Sequence, residues 1–205
     1  MNNINLRIIA ALTPCLVATI LGADAPDAKP TKDAPKVLVL FDGKGLDGWK
    51  ATTFHKPGEV KVEDGAIILE VGNPMTGITT TRTDLPTTNY ELSYQARRLK
   101  GQDFFAAATF PVNKSFLTLV NGGWGGNVTG VSSIDGADAS ENQTGTYIKY
   151  QDQTWYSFRI RVTANVVRCW VDGKEVVDAD IEGRELGTRI ESRASQPLGF
   201  ASWET

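Results

Sequence analysis

Residues 155–178 read W-Y-S-F-R-I-R-V-T-A-N-V-V-R-C-W-V-D-G-K-E-V-V-D. Tyr156, Phe158, Ile160 and Val162 alternate with Trp155, Ser157, Arg159 and Arg161. After a turn at Thr163–Asn165, Val167, Cys169 and Val171 alternate with Arg168, Trp170 and Asp172. A period of two is the signature of a strand with one face in the core. Asp172-Gly173 then supplies the two positive-φ residues of a tight hairpin, leading into Glu175–Asp178. The stretch predicts consecutive antiparallel strands, and it sets the fold class.

The same pattern recurs outward. Tyr90, Leu92, Tyr94 and Ala96 alternate with Glu91, Ser93, Gln95 and Arg97, and Asp64-Gly65 joins Val60–Val62 to Ala66–Val71. Further strands are expected at Ile78–Thr81, Phe104–Phe110, Phe116–Val120, Tyr147–Tyr150 and Leu198–Trp203. About ten to twelve short strands with regular turn signals predict an all-β, antiparallel sandwich or jelly roll. No window has helical periodicity, so a parallel α/β sheet lacks its crossover helices. Asn121–Asn142 holds six glycines and is expected to be a long loop, functional or disordered, that adds little core.

The first residues read as a leader. Met1–Arg7 is polar with one Arg, Ile8–Leu21 is largely apolar, and small residues follow at Gly22, Ala23 and Ala25. This is the layout of a secretory signal peptide over residues 1–23, with cleavage after Ala23, and it predicts a secreted or periplasmic protein. The apolar run is too short for a comfortable membrane span. Asp24–Pro35, with three prolines and alternating charge, reads as a disordered linker before a single domain over 36–205.

Lys and Arg number 21 and Asp and Glu 24, a net charge of −3 that becomes −4 once Arg7 leaves with the signal. A mildly acidic domain is a poor nucleic-acid binder. Cys15 falls in the leader and Cys169 stands alone, so no internal disulfide is expected. Sequons occur at Asn113, Asn127 and Asn142.

His55 is the sole histidine, which rules out multi-histidine zinc sites; it is read as a loop residue near Pro57, with a catalytic role as the alternative, although no G-x-S-x-G elbow is present for a triad. Asp135, Asp138, Glu141 and Asn142 crowd one loop. As carboxylates, Asp135, Asp138 and Glu141 are candidate general acids and bases, or oxygen ligands for a divalent metal such as Ca²⁺, although no EF-hand spacing is present. The alternative is a polar turn with Asp caps. Trp124, inside G-G-W-G-G, is a candidate sugar-stacking residue. Trp155, Arg159, Arg161, Arg168 and Trp170 share one outward hairpin face. Arg159, Arg161, Arg168 and Trp170 are therefore candidate substrate-binding residues, with a solvated sheet face as the plain alternative. Trp124, Asp135, Asp138 and Glu141 are expected on the rim of one pocket.

L-F-D-G-K-G-L-D-G-W at Leu40–Trp49 and V-E-D-G-A-I-I-L at Val62–Leu69 are followed by N-Y-E-L-S-Y-Q-A-R at Asn89–Arg97. W-Y-S-F-R-I-R-V, V-D-G-K-E-V-V-D and P-L-G-F-A-S-W come later in the same order. Together they resemble the bacterial 3-keto-disaccharide hydrolase family (DUF1080). The resemblance implies a concanavalin A-like lectin/glucanase sandwich, a carbohydrate ligand and hydrolysis of 3-keto-glycosides, with a non-catalytic carbohydrate-binding module as the alternative. Asp138 or Glu141 would be the base, and Arg159 or Arg161 the enolate partner. The family's N-S-G-I-F-x-R segment is replaced by D-F-F-A-A-A-T-F-P-V at Asp103–Val112, so no family catalytic residue carries over. Family members also continue with a strand like I-R-N-I-R-I, absent after Thr205, so an open edge is expected along Val37–Phe41.

Overall fold

The computed structural model describes residues 2–10 and 36–205. Its strands are β1 (Asn2–Ala10), β2 (Lys36–Val39), β3 (Trp49–Ala51), β4 (Val60–Glu63), β5 (Ala66–Leu69), β6 (Met75–Thr80), β7 (Tyr90–Arg97), β8 (Ala107–Val112), β9 (Ser115–Gly122), β10 (Val128–Ser132), β11 (Thr146–Tyr147), β12 (Tyr156–Val162), β13 (Val166–Val171), β14 (Lys174–Asp180) and β15 (Gly199–Trp203). One 3-10 helix, Ile190–Ser195, precedes the last strand.

Two sheets form a sandwich, and every ladder is antiparallel. The first sheet runs β14-β13-β12-β7-β1-β5-β4, with β2 also paired to β1; the second runs β11-β10-β9-β8-β15-β6-β3. β1 lies between β7 on one side and β5 and β2 on the other. Lys36–Val39, within the segment expected to carry an open edge, pairs with Arg7–Ala10 of β1 on one side, and among the described residues no strand pairs with its other side. The signal-cleavage position after Ala23 and the linker over 24–35 lie outside the described residues.

The alternation read from the sequence becomes the sandwich interior. Leu92, Ala96, Phe158, Ile160, Val167 and Cys169 of the first sheet meet Ile78, Phe110, Leu117, Leu119 and Phe200 of the second, all fully buried or nearly so. Tyr94 stacks on Phe158 at 4.9 Å and takes Phe200 edge-on at 4.9 Å, joining the two layers through aromatic contact. Both Asp-Gly hairpins adopt the expected turn. Asp64 and Gly65 have φ 51° and 74°, Asp172 and Gly173 48° and 79°; positive φ at both central residues matches the right-handed twist of the flanking strands. Leu40–Trp49 closes on itself where Trp49 Nε1 donates to the Leu40 carbonyl at 2.7 Å.

Three expectations shift. Asn121–Asn142 is not one long loop: β9 runs through Gly122, and Val128–Ser132 is a buried strand. V-T-G-V-S shows no alternation because both of its faces are covered. A Cβ at Gly130 would meet the Thr144 carbonyl at 2.9 Å, so the close approach of that segment requires glycine. Ile134 and Ala139 are also buried, so this region does contribute core. The expected strand at Phe104–Phe110 starts three residues later, since Ala106 turns to φ 46° before β8 begins. The expected strand at Tyr147–Tyr150 shortens to Thr146–Tyr147.

Candidate functional site

The two sheets present different outer faces. On the first, exposed and half-buried polar side chains alternate with core residues along β7 and β12. On the second, β6, β8 and β10 are buried along their whole length. Threonine hydroxyls satisfy one another there: Thr109 pairs with Thr118 at 2.9 Å and Thr52 with Thr79 at 2.7 Å. Such a face is dry only if something covers it, and the cover is made of loops. The segment from Glu182 through the 3-10 helix packs on one part, the turn Gly122–Asn127 on another, and Asp103–Phe104 on a third.

Where these loops meet, a pocket of about 210 Å³ opens over β8 and β9. Ala107, Thr118 and Val120 form its floor; Trp124, Trp203 and Phe104 supply aromatic walls; Arg189, Glu191 and Asp103 supply charge. Phe104 and Trp203 have ring centroids 6.1 Å apart. Trp124 is 42% exposed, with Arg189 5.8 Å from its ring centroid. Trp124 itself has φ 50° between Gly122 at 71° and Gly125 at 83°. A positive φ is rare for a bulky residue, and it costs conformational energy that the surrounding turn must offset.

Arg189 is the charged centre. Its Nε donates to Glu191 and its Nη1 to Asp138. Among the described residues Nη2 has no partner, which leaves one donor of the fork open to a ligand. Burial works against the charge, but the carboxylates of Glu191 and Asp138 outweigh it and hold the guanidinium above its ordinary pKa. Asp138 also accepts from Ser133 Oγ at 3.2 Å. Asp103 is fixed by backbone donors: Phe104 N–H at 2.7 Å and Gly125 N–H at 3.3 Å. Behind it, buried Arg98 donates to the Asp103 carbonyl at 3.3 Å, to the Tyr150 carbonyl at 3.2 Å and to Asp152 at 2.6 Å.

The sequence-based candidates therefore divide. Trp124 and Asp138 both meet Arg189. Asp135 lies further along, paired with Arg184 at 2.5 Å and accepting the Glu185 N–H at 2.8 Å. Those two donors, the backbone one first, lower its carboxyl pKa. Glu141 is exposed and accepts from the Asp138 N–H at 3.4 Å. Arg159, Arg161, Arg168 and Trp170 belong to the outer face of the other sheet. There Arg159 stacks on Trp170 at 3.8 Å, Arg159 and Arg161 both pair with Glu91, and Arg168 pairs with Asp178 at 2.9 Å. They do not join the Arg189 pocket. His55 is exposed. Cys169 is fully buried, and burial pushes its thiol pKa up. Among the described residues no group of three or more His, Cys, Asp or Glu is placed to hold a metal ion, and no helix is long and apolar enough to cross a membrane. Arg189, Glu191, Asp103 and Trp203 were missed from the sequence; their only short-range signal is the R-I-E triplet ahead of the last strand.

A family model described as the 3-keto-alpha-glucoside-1,2-lyase-like domain matches residues 36–205. The chain belongs to that family. It is thus a member of a glycan-active family, as its sequence motifs implied. No curated protein matches the chain. Among solved structures, the Crh5 transglycosylase in complex with NAG is similar with a TM-score of 0.54 and 18% identity, over 80% of this chain and 66% of that one. A glycosyl hydrolase-type protein from Parabacteroides distasonis follows at TM-score 0.49 and 14% identity, over 82% of this chain and 87% of that one. A third, described with endo-acting O-glycanases of the human gut microbiota, has TM-score 0.49 and 15% identity, over 78% and 82%. At such identities the likeness to the transglycosylase is one of fold, a lectin/glucanase-type sandwich.

Proposed function

We propose that this protein is an exported enzyme that cleaves 3-keto-glucosides by elimination across C1–C2, with water addition completing hydrolysis, and that the Arg189 pocket is its active site. The observation that carries the reading is an arginine with one open donor, held between carboxylates over a small aromatic-walled pocket. A C3 ketone acidifies the C2 hydrogen. Glu191, which pairs with Arg189 and lines the pocket, is the base in this reading. The electron pair moves into the C2–C3 bond, and charge builds on the ketone oxygen. The open Arg189 Nη2 is the donor for that oxygen. The enolate then expels the C1 substituent, and the proton that Glu191 took from C2 passes to the departing oxygen. Asp138 pairs with Arg189 and so holds the guanidinium in place. At about 210 Å³ the pocket is smaller than the ~300–1,000 Å³ of drug-sized clefts, which suits a single sugar ring against Trp124 and Trp203. Export rests on the leader pattern of residues 1–23, whose cleavage would take Asn2–Ala10 out of the first sheet and leave β7 and β5 without the strand between them.

The test is release of a chromophore from 4-nitrophenyl 3-keto-glucoside. The expected result is turnover by the wild type and loss of about 100-fold or more in kcat/KM for Glu191→Gln. Absence of turnover by wild type refutes the reading. If the sugar still quenches Trp fluorescence without turnover, the pocket belongs to a binding module.

A further inference from the structure

Arg189 and Glu191 stand at the end of a segment that is mostly exposed from Glu182 to Glu185 and has no regular structure until Ile190. An arginine fork on such a strap is useful only if the strap is tied down. The tie is the turn Ile134–Ala137. There Asp135 and Gly136, with φ 52° and 75°, form a third Asp-Gly turn closed by mutual hydrogen bonds of Ile134 and Ala137. This one joins no pair of long strands. It lies against the strap instead. Asp135 N–H donates to the Glu185 carbonyl at 2.7 Å, and Glu185 N–H returns to the Asp135 carboxylate at 2.8 Å. Arg184 Nε reaches the second carboxylate oxygen at 2.5 Å. One turn further, Ser133 and Gly187 exchange two backbone bonds at 2.6 and 3.1 Å, and Ser115 Oγ donates to the Leu186 carbonyl at 2.6 Å. Asp138, one residue past the turn, then receives Arg189.

We propose that Asp135 is a positioning residue that clamps the Arg184–Arg189 strap and thereby sets the place of Arg189 and Glu191 in the pocket. It touches no substrate; it acts through the strap. This inference rests on the reading of the Arg189 pocket as the active site. The bonds of Asp135 itself join only these two segments, so its effect is expected to be local. Asn tolerates the positive φ of position 135, so Asp135→Asn preserves the turn and removes the charge pairing with Arg184. Arg184→Ala removes the same pairing from the strap side.

Three measurements test it. Turnover of 4-nitrophenyl 3-keto-glucoside is expected to fall about tenfold in kcat for each single variant, with KM changed less than about twofold, because misplaced catalytic groups act on the transition state. The double variant is expected to lose no more than either single one, since both break one interaction. Amide exchange at Glu185 and Gly187 is expected to quicken in Asp135→Asn while β9 and β10 are unchanged. Wild-type kcat in both single variants, additive losses, or a purely KM effect overturns the positioning role. Exchange is read without substrate. If wild type turns nothing over, the active-site reading fails by itself, and unchanged exchange in Asp135→Asn separately shows that there is no clamp.

Discussion

The two outer faces of the sandwich are built from the same kind of strand and end with opposite properties. On the first sheet Arg159, Arg161 and Arg168 reach out and pair with carboxylates of adjoining strands, Arg168 with Asp178 and the other two with the single Glu91. Arg159 also lies flat on Trp170, which leaves that indole only 9% exposed. This face spends its charges on itself. On the second sheet the strands carry Thr, Ala and Gly, and the charges come from loops laid across them. Those loops leave an arginine with an unused donor facing a cavity. The two faces thus differ in where their charge sits: on the strands of the first sheet, beside a cavity of about 830 Å³ that Arg159 and Trp170 line, and on the loops around the smaller pocket of the second.

Removing one arginine from each face is expected to give the largest difference. Arg189→Ala is expected to lower kcat/KM for a 3-keto-glucoside by about 10²–10³-fold, the scale of losing one oxyanion donor. Arg159→Ala is expected to stay within about twofold. Equal effects in steady-state assays would erase the distinction. The next effect is on stability. Arg98 is 8% exposed at its side chain and holds Asp103, Tyr150 and Asp152 together. Arg98→Ala is expected to cost about 3 kcal/mol in urea unfolding, because it removes a buried guanidinium that ties two carbonyls and a carboxylate together. Arg168→Ala, on an exposed pair, is expected to leave the urea midpoint where it was. A smaller effect separates the two indoles. Trp124→Ala is expected to raise KM about tenfold through lost stacking, and Trp170→Ala to leave it unchanged.

The smallest effect is one of pH. The Asp135 carboxyl has a lowered pKa in the folded protein, first from the Glu185 N–H and then from Arg184. A depressed native value contributes stability that is fully present above the unfolded carboxylate value and disappears as pH falls through the native one. The stability gap between wild type and Asp135→Asn is therefore expected to hold from neutral pH down to about pH 4 and to close below it. A gap that widens on acidification would give the sign the other way.

Much of the fold was legible because its signals are local. Alternation over Tyr90–Arg97 and Tyr156–Val171 survives in a single sequence, since one face is wet and the other dry. Asp64-Gly65 and Asp172-Gly173 state their turn outright. Val128–Ser132 stayed hidden for the opposite reason: a strand covered on both faces has no polar partner to alternate with, and Gly130 there serves Thr144 rather than a turn. Of the pocket wall, Trp124 could be picked out as an aromatic among glycines, and Asp138, which pairs with Arg189 behind it, as an acid in a loop. Arg189 and Glu191 could not, because Asp138 and Arg189 meet across 51 positions of chain. Asp135 looked like chemistry and sits in a clamp, since a carboxylate's sequence context does not say which donor it faces.

One of the threonine pairs beneath the roof fixes an order of protons. Thr79 has a single hydroxyl hydrogen, and it goes to the Ala194 carbonyl of the 3-10 helix at 3.2 Å. The hydrogen between Thr79 and Thr52 must then come from Thr52. The relay runs one way, from the strand-edge loop through the sheet to the helix backbone. Replacing Thr79 by Val, nearly its equal in shape, deprives two groups at once: Thr52 loses its acceptor and Ala194 its donor. The methyl that takes the hydroxyl's place leaves that helix, two residues past Ser192 of the pocket wall, resting on hydrocarbon.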